Sequence, residues 1–267
     1  MDHARRPFVG GNWKMNLTLQ SAGELARRVG EGAASAGGVD AAVFPAFVHL
    51  ETARRELADS GVSLGGQDVH FETAGAYTGE VSGAMLLDLG ASWALAGHSE
   101  RRHVIGESDE LVGQKVEGAL KAGLGVVLCV GETIDQREAG QTDAVNERQL
   151  REGLRLALQE NVAAGSLETR LVIAYEPVWA IGSGKTATPE DAQLAHESLR
   201  ATLGDLIGAD DAQRVRIVYG GSMKPDNAGE LMSQRDIDGG LVGGASLKAD
   251  DFLSICRSAA ATMTGAA

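Results

Sequence analysis

The sequence predicts a single closed eight-stranded parallel (β/α) barrel across residues 1–267, with a short polar tail at 1–6 and an alanine-rich tail at 259–267. Two observations carry this expectation. Short apolar runs alternate with helical periods from one end to the other, and no linker or low-complexity segment interrupts them. Eight such units fit the length, which is what closure by right-handed crossovers needs, with no edge strand left over. A doubly wound open sheet is the alternative. It calls for a glycine fingerprint directly after the first strand, where this chain reads Gly10-Gly11-Asn12-Trp13-Lys14.

The strand candidates, in order, are residues 8–11, 41–44, 63–66, 94–96, 126–130, 171–175, 216–219 and 240–242. Each is a short run of the kind a parallel strand buried on both faces shows. Helices lie between them. Thr18 caps one that carries Ala22, Leu25, Ala26 and Val29 on one face. Ser108 caps another with Leu111, Val112, Val116, Ala119 and Leu120, closed by Gly123. A longer one spaces Leu150, Leu154, Leu158 and Val162 opposite Arg151 and Glu152. Thr188, with Pro189 and Asp191 behind it, starts another. Further helices follow His49, Val81, Pro225 and Lys248.

Composition narrows the function. Hydrophobic content of 43% and charged content of 23% describe a soluble globular protein. Two cysteines, Cys129 and Cys256, argue against a disulfide framework and fit a reducing, cytoplasmic setting. Neither a signal peptide nor a membrane span is expected. A net charge of −13 argues against general nucleic-acid affinity, yet a small anion would respond to local donors instead.

In such a barrel chemistry gathers where the strands end. The sixth strand candidate stops at Glu176, and Pro177 forbids further ladder pairing. Trp179, Ala180 and Ile181 are too apolar for an idle loop, and Gly182 and Gly184 allow motion and close approach. The stretch reads as a base at a strand end followed by a lid, or as an ordinary strand-to-helix loop in which Glu176 is solvated. Two nucleotide-binding patterns inside it fail: Gly184-Lys185-Thr186 has Trp179 where a phosphate loop needs glycine, and Gly182, Gly184 and Ala187 stand too far from the strand.

The other strand ends add Asn12 and Lys14, then His98-Ser99-Glu100-Arg101-Arg102, then Cys129 and Glu132. The last two end in Gly220-Gly221-Ser222 and Gly243-Gly244-Ala245-Ser246. Loops after the seventh and eighth strands commonly bind phosphate through backbone N–H groups. Each residue also has an ordinary reading: Lys14 as a solvated lysine, Asn12 as a turn former, His98 as a structural histidine, and residues 100–102 as an exposed charge run. Cys129 and Glu132 read as mainly structural. No metal set appears, since HExxH and CxxC spacings are absent.

Five stretches together carry a resemblance. Gly11-Asn12-Trp13-Lys14-Met15-Asn16, Gly97-His98-Ser99-Glu100-Arg101-Arg102, residues 175–182 (Tyr-Glu-Pro-Val-Trp-Ala-Ile-Gly), Tyr219-Gly220-Gly221-Ser222 and residues 241–247 (Leu-Val-Gly-Gly-Ala-Ser-Leu) are similar to the signature loops of triosephosphate isomerase, the family that gives the TIM barrel its name. The resemblance spans nearly the whole chain, in order. It implies interconversion of dihydroxyacetone phosphate and D-glyceraldehyde 3-phosphate, in glycolysis and gluconeogenesis, without cofactor or metal. Glu176 matches the base, His98 the neutral imidazole that polarises the carbonyl, and Lys14 the cation that binds substrate. Asn12 matches a positioning residue, Glu100 the supporting carboxylate near Lys14, and Gly182, Ser222, Gly243 and Gly244 the phosphate donors.

The loop over residues 67–79 is longer than a usual βα connection of about 2–6 residues. Its tip at 75–80 exposes Tyr77 and Thr78 between glycines. It resembles the family's interdigitating loop, which implies a homodimer with Thr78 near the partner's Asn12, Lys14 and Glu100. Three positions depart from the family pattern: Ser183 for threonine, Asp68 for asparagine, and Gly240 for a bulkier residue whose loss could loosen the eighth strand. A metal-dependent sugar-phosphate epimerase and a non-catalytic scaffold barrel are the other readings. The first lacks ligands here, and the second has no need of Asn12, Lys14, His98 and Glu176 together.

Overall fold

The computed structural model describes residues 5–162, 166–181 and 186–263. Eight parallel strands close on themselves in chain order: β1 (Phe8–Asn12), β2 (Asp40–Phe44), β3 (Ser63–Gly66), β4 (Trp93–Ala96), β5 (Gly125–Val130), β6 (Leu171–Tyr175), β7 (Arg216–Tyr219) and β8 (Gly239–Val242). Closure is made by β8 on β1, with Val9 opposite Gly240 and Gly11 opposite Val242. Around this wall run α1 (Leu19–Gly32), α2 (Leu50–Glu56), α3 (Gly83–Asp88), α4 (Asp109–Ala122), α5 (Ile134–Glu138), α6 (Thr142–Gln159), α7 (Leu167–Arg170), α8 (Pro189–Ile207), α9 (Ala209–Ala212), α10 (Ala228–Met232) and α11 (Ala249–Met263).

Alternation along each strand divides the core in two. Phe8, Phe44, Leu95, Val127, Val172 and Leu241 fill the barrel interior. Their neighbours, such as Val9, Val126, Leu128 and Ile173, pack outward on the helices. The interior fits by pairing large with absent side chains: a Cβ on Gly65 would lie 2.3 Å from the Phe44 ring. Gly240 is filled in the same way, because a Cβ there would stand 2.5 Å from Met223 Sδ. The eighth strand therefore loses no packing at this position.

The helix starts follow their side-chain caps. Thr18, Ser108 and Thr188 each accept a hydrogen bond from the backbone N–H three residues on, and Gly123 closes α4 in the left-handed region at φ 107°. α1 buries Ala22, Leu25, Ala26 and Val29. Three expectations need correction. α6 ends at Gln159, so Val162 lies beyond it, and the buried face is completed by Asn146, Gln149 and Gly153. On α4, Leu111 is only half-buried while Lys115 is buried. The alanine-rich tail does not begin at 259: α11 continues through that point and buries Ala259, as alanine-rich sequence in contact with apolar neighbours favours.

The amino-terminal side is pinned by charge. Arg5, placed in the tail by sequence, bonds to Asp238 at 2.6 Å, and Arg200 bonds to both Asp236 and Asp238 at 2.5 and 2.8 Å. Asp238 also accepts the Ile217 N–H, which joins the starts of β7 and β8. Beside this network His196, wholly buried, sets its Nδ1 3.0 Å from the Asp236 carbonyl and its ring edge-on to Tyr175. Burial pushes its pKa down to about 4. Among the described residues, no helix is long and apolar enough to cross a membrane.

The His196 shift sets a stability prediction. Between its folded value and about 6.5 the unfolded chain binds the extra proton, so stability falls as pH falls through that window. The contribution lost between pH 7 and pH 5 is about 2 kcal/mol. Urea unfolding at the two pH values should show this drop in the native chain, and His196→Gln should lose that part of the pH dependence.

Candidate active site

One cavity of about 810 Å³ opens at the carboxyl ends of the strands. Asn12, Lys14, His98, Glu100, Glu176, Ser222, Gly243 and Gly244 all line it. Of the residues expected there, Gly182 alone lies outside those the structure describes.

Glu176 follows β6 directly, with its N–H bonded to the Val130 carbonyl at 2.7 Å. Its carboxylate is 2% exposed as a residue, so it needs donors. Two are present: the Ser99 N–H reaches Oε2 at 2.8 Å, and His98 Nε2 lies 3.1 Å from Oε1. Gly220 makes room, since a Cβ there would stand 2.7 Å from Glu176 Cγ.

His98 stands at the start of a helical turn, its carbonyl accepting from the Arg101 and Arg102 N–H groups. The Glu100 N–H, held by the same turn, points at His98 Nδ1 from 3.2 Å. A backbone amide can only donate, so Nδ1 is the acceptor and the ring proton sits on Nε2, facing Glu176. The 3.6 Å approach of Nδ1 to Glu100 Oε2 is therefore proximity and not an ion pair. Nε2 is thus the ring nitrogen left to donate toward Glu176.

Lys14 is held in an unusual backbone state, φ 52°, which costs a non-glycine residue about 1 kcal/mol. Its N–H bonds to Asn12 Oδ1 at 3.0 Å, and its carbonyl accepts from Gln67 Nε2 at 2.8 Å. Those two bonds hold the Lys14 backbone from both sides. Nζ meets Glu100 Oε1 at 2.6 Å. Beside Lys14, whose Cε would lie 3.5 Å from a Cβ on Gly243, the Gly220–Ser222 turn and the short helical turn Gly244–Leu247 line the same cavity. A Cβ on Gly244 would meet nothing within 4 Å, so backbone is exposed there to a ligand.

Of residues 100–102 only Glu100 is exposed. The Arg102 side chain is 5% exposed and bonds to Asp109 and to the Gly97 and Cys129 carbonyls. Arg101 joins a buried quartet with Asp68, Glu107 and Lys115: its guanidinium lies 2.9 Å from Asp68 and 2.7 Å from Glu107, and Lys115 reaches both carboxylates. Burial holds the Asp68 carboxyl above the usual range despite Lys115. At Glu107 burial is outweighed by Arg101 and Lys115, and the carboxyl lies below it. The carboxylate at 68 thus completes two cations against two anions.

Sequence left Glu132 as structural and passed over Gln67, Lys115 and Arg137. Glu132 is fully buried and accepts from Tyr175 Oη at 3.1 Å and from Trp179 Nε1 at 2.9 Å. It holds the segment that follows Glu176. Cys129 is a buried interior residue, as expected, and burial pushes its thiol well up. Among the described residues no group of three or more potential ligands could hold a metal.

Closed parallel barrel and paired acid–base groups at the strand ends define a (β/α)-barrel enzyme. The comparisons narrow the class. A sequence model described as triosephosphate isomerase matches residues 7–259. A triosephosphate isomerase of Magnetococcus marinus is 51% identical over 252 residues, covering 94% of this chain and 97% of its own. That of Stenotrophomonas maltophilia is 51% identical over 257 residues, 96% and 99% of the two chains. One from Roseiflexus castenholzii is 49% identical over 251 residues, 94% and 96%. This chain belongs to the triosephosphate isomerase family.

Lys14→Met keeps the apolar stem and removes the charge. Catalytic rate should fall by at least about a hundredfold, while stability moves by no more than about 1 kcal/mol, because the Glu100 pair is partly exposed. Steady-state kinetics beside thermal melting checks both.

Proposed function

We infer that this chain interconverts dihydroxyacetone phosphate and D-glyceraldehyde 3-phosphate by moving one proton between adjacent carbons. The observation that carries the assignment of roles is the pairing of Glu176 with a His98 ring whose proton sits on Nε2. A carboxylate and a neutral donor are what an enediolate route needs, one to take the carbon proton and one to stabilise the oxygen as charge develops. This is the division of labour known for the enzyme class.

Substrate enters with its phosphate on the Ser222, Gly243 and Gly244 turns and its carbonyl toward His98 and Asn12. Glu176 leaves the Ser99 N–H and turns to the substrate carbon, takes its proton, and returns it to the neighbouring carbon. His98 donates from Nε2 to one oxygen and recovers a proton from the other. Lys14 offsets the negative charge. The segment after Trp179 closes over the cavity and keeps water out, which strengthens each of these contacts.

The working unit is a homodimer of the cytoplasm. Two free, buried cysteines fit a reducing compartment. Met15, Val48, Tyr77, Met85, Val104 and Ile105 are large apolar residues left exposed, from 42% at Tyr77 to 95% at Met15. They come from the connections that follow β1 to β4, together with α3, and apolar side chains of this size left exposed favour a protein partner. The Tyr77 loop is preformed: its ring packs on His70 at 4.3 Å, and His70 N–H bonds to the Val81 carbonyl. Docked on a second copy, Thr78 would sit beside the partner subunit's Lys14.

Two experiments test these readings. A coupled assay on the two triose phosphates, with exchange in deuterated water, should show interconversion and solvent deuterium at carbon; Glu176→Asp, which draws the base back by about 1 Å, should lose about a hundredfold in kcat with the fold intact. An unchanged kcat in that variant removes Glu176 as base. Thr78→Arg should dissociate the dimer and lower turnover together. Sedimentation beside kinetics decides, and a fully active monomer would separate the two.

A further inference from the structure

Arg137 lies outside the cavity, on α5, and nothing in the reaction uses it directly. Its position is fixed from behind: Thr133 caps α5 with a reciprocal pair of bonds to Gln136, and the Arg137 N–H bonds to the Thr133 carbonyl at 3.0 Å. The guanidinium then reaches three groups. Its central carbon lies 4.6 Å from the centre of the Trp179 ring. One nitrogen stands 3.8 Å from Glu132 Oε1, the atom that accepts the Trp179 N–H. Another bonds to Asp191 Oδ1 at 3.2 Å.

These partners sit on the two flanks of one connection. Trp179 lies three residues after Glu176, and Asp191 lies in the first turn of α8, whose cap Thr188 accepts the Asp191 N–H at 3.1 Å. A single planar cation therefore stacks on the entry flank and pairs with the exit flank. We propose that Arg137 is a positioning residue for the catalytic base: through Trp179 it ties the segment leaving Glu176 to the start of α8, and so fixes where that segment and the base before it rest. Lysine would keep the charge toward Asp191 but not the stacked plane, and glutamine would lose both.

The inference rests on the isomerase reading, because the base and the cover matter only if Glu176 moves a proton. When cover is poorly set, the enediolate has a side route: its electron pair expels phosphate, breaking the carbon–oxygen bond, and the enol left behind takes up a proton to give methylglyoxal. A residue that only stabilises the fold would not alter the share of turnover lost this way.

The test uses the full-length protein as native chain and as Arg137→Gln, Arg137→Lys and Asp191→Asn. Arg137→Gln should lower kcat/KM by about threefold to tenfold, since two partly exposed contacts are lost. It should also raise the methylglyoxal share, with a melting temperature within a few degrees of the native chain. Arg137→Lys should fall between, and the double variant with Asp191→Asn should be less than additive. Unchanged kinetics and by-product in Arg137→Gln would overturn the proposal. So would an activity loss that tracks the unfolded fraction at a constant product ratio. A native chain with no isomerase activity would instead overturn the isomerase reading, and this inference with it.

Discussion

The site depends on supplying donors to one carboxylate where water scarcely reaches. Glu176 is nearly buried at the end of β6, and an unpaired carboxylate there would be strongly disfavoured. Its two donors both come from the turn after β4: the Ser99 N–H and the Nε2 proton of His98. The second exists because the Glu100 N–H occupies Nδ1. One helical turn thus supplies both donors to Glu176, holds the His98 ring through its Nδ1, and carries the carboxylate that meets Lys14.

That turn is itself held from outside the cavity. Arg101 and Arg102, which follow it, are tied into the Asp68–Glu107–Lys115 quartet and to Asp109. Asp68 opens the long loop that carries Tyr77, so the quartet joins the exposed apolar face to the catalytic turn. The same logic appears at β6, where Glu132 bonds Tyr175 inside the strand and Trp179 beyond it. Buried ion pairs of this sort contribute little net stability, but they fix geometry because leaving one member unpaired is costly.

Much of this was legible in the sequence. Parallel strands covered on both faces read as short apolar runs, which placed all eight; the edges that escaped, at Asn12, Asp40, Trp93, Gly125 and Gly239, carry a polar or charged group, a large ring or no side chain. The site residues were legible because they stand where those runs stop. What escaped are partners remote in the chain. Lys115 looks like one more helical lysine until it meets Asp68, 47 residues away, and Glu132 like a loop acid until it meets Tyr175, 43 residues away. Gln67 gave one faint signal, a polar residue directly after the third strand. The end of α11 was misplaced because alanine reads equally as tail and as helix.

The most direct test of this account is the protonation of the His98 ring in the resting protein. Nitrogen-15 spectra of selectively labelled histidine at pH 7, assigned with a His98→Gln variant, should show one protonated and one unprotonated ring nitrogen, the proton on Nε2. Two protonated nitrogens, or a proton on Nδ1, would contradict it, because the Glu100 N–H could then not be bonded to the ring and Glu176 would face a different partner.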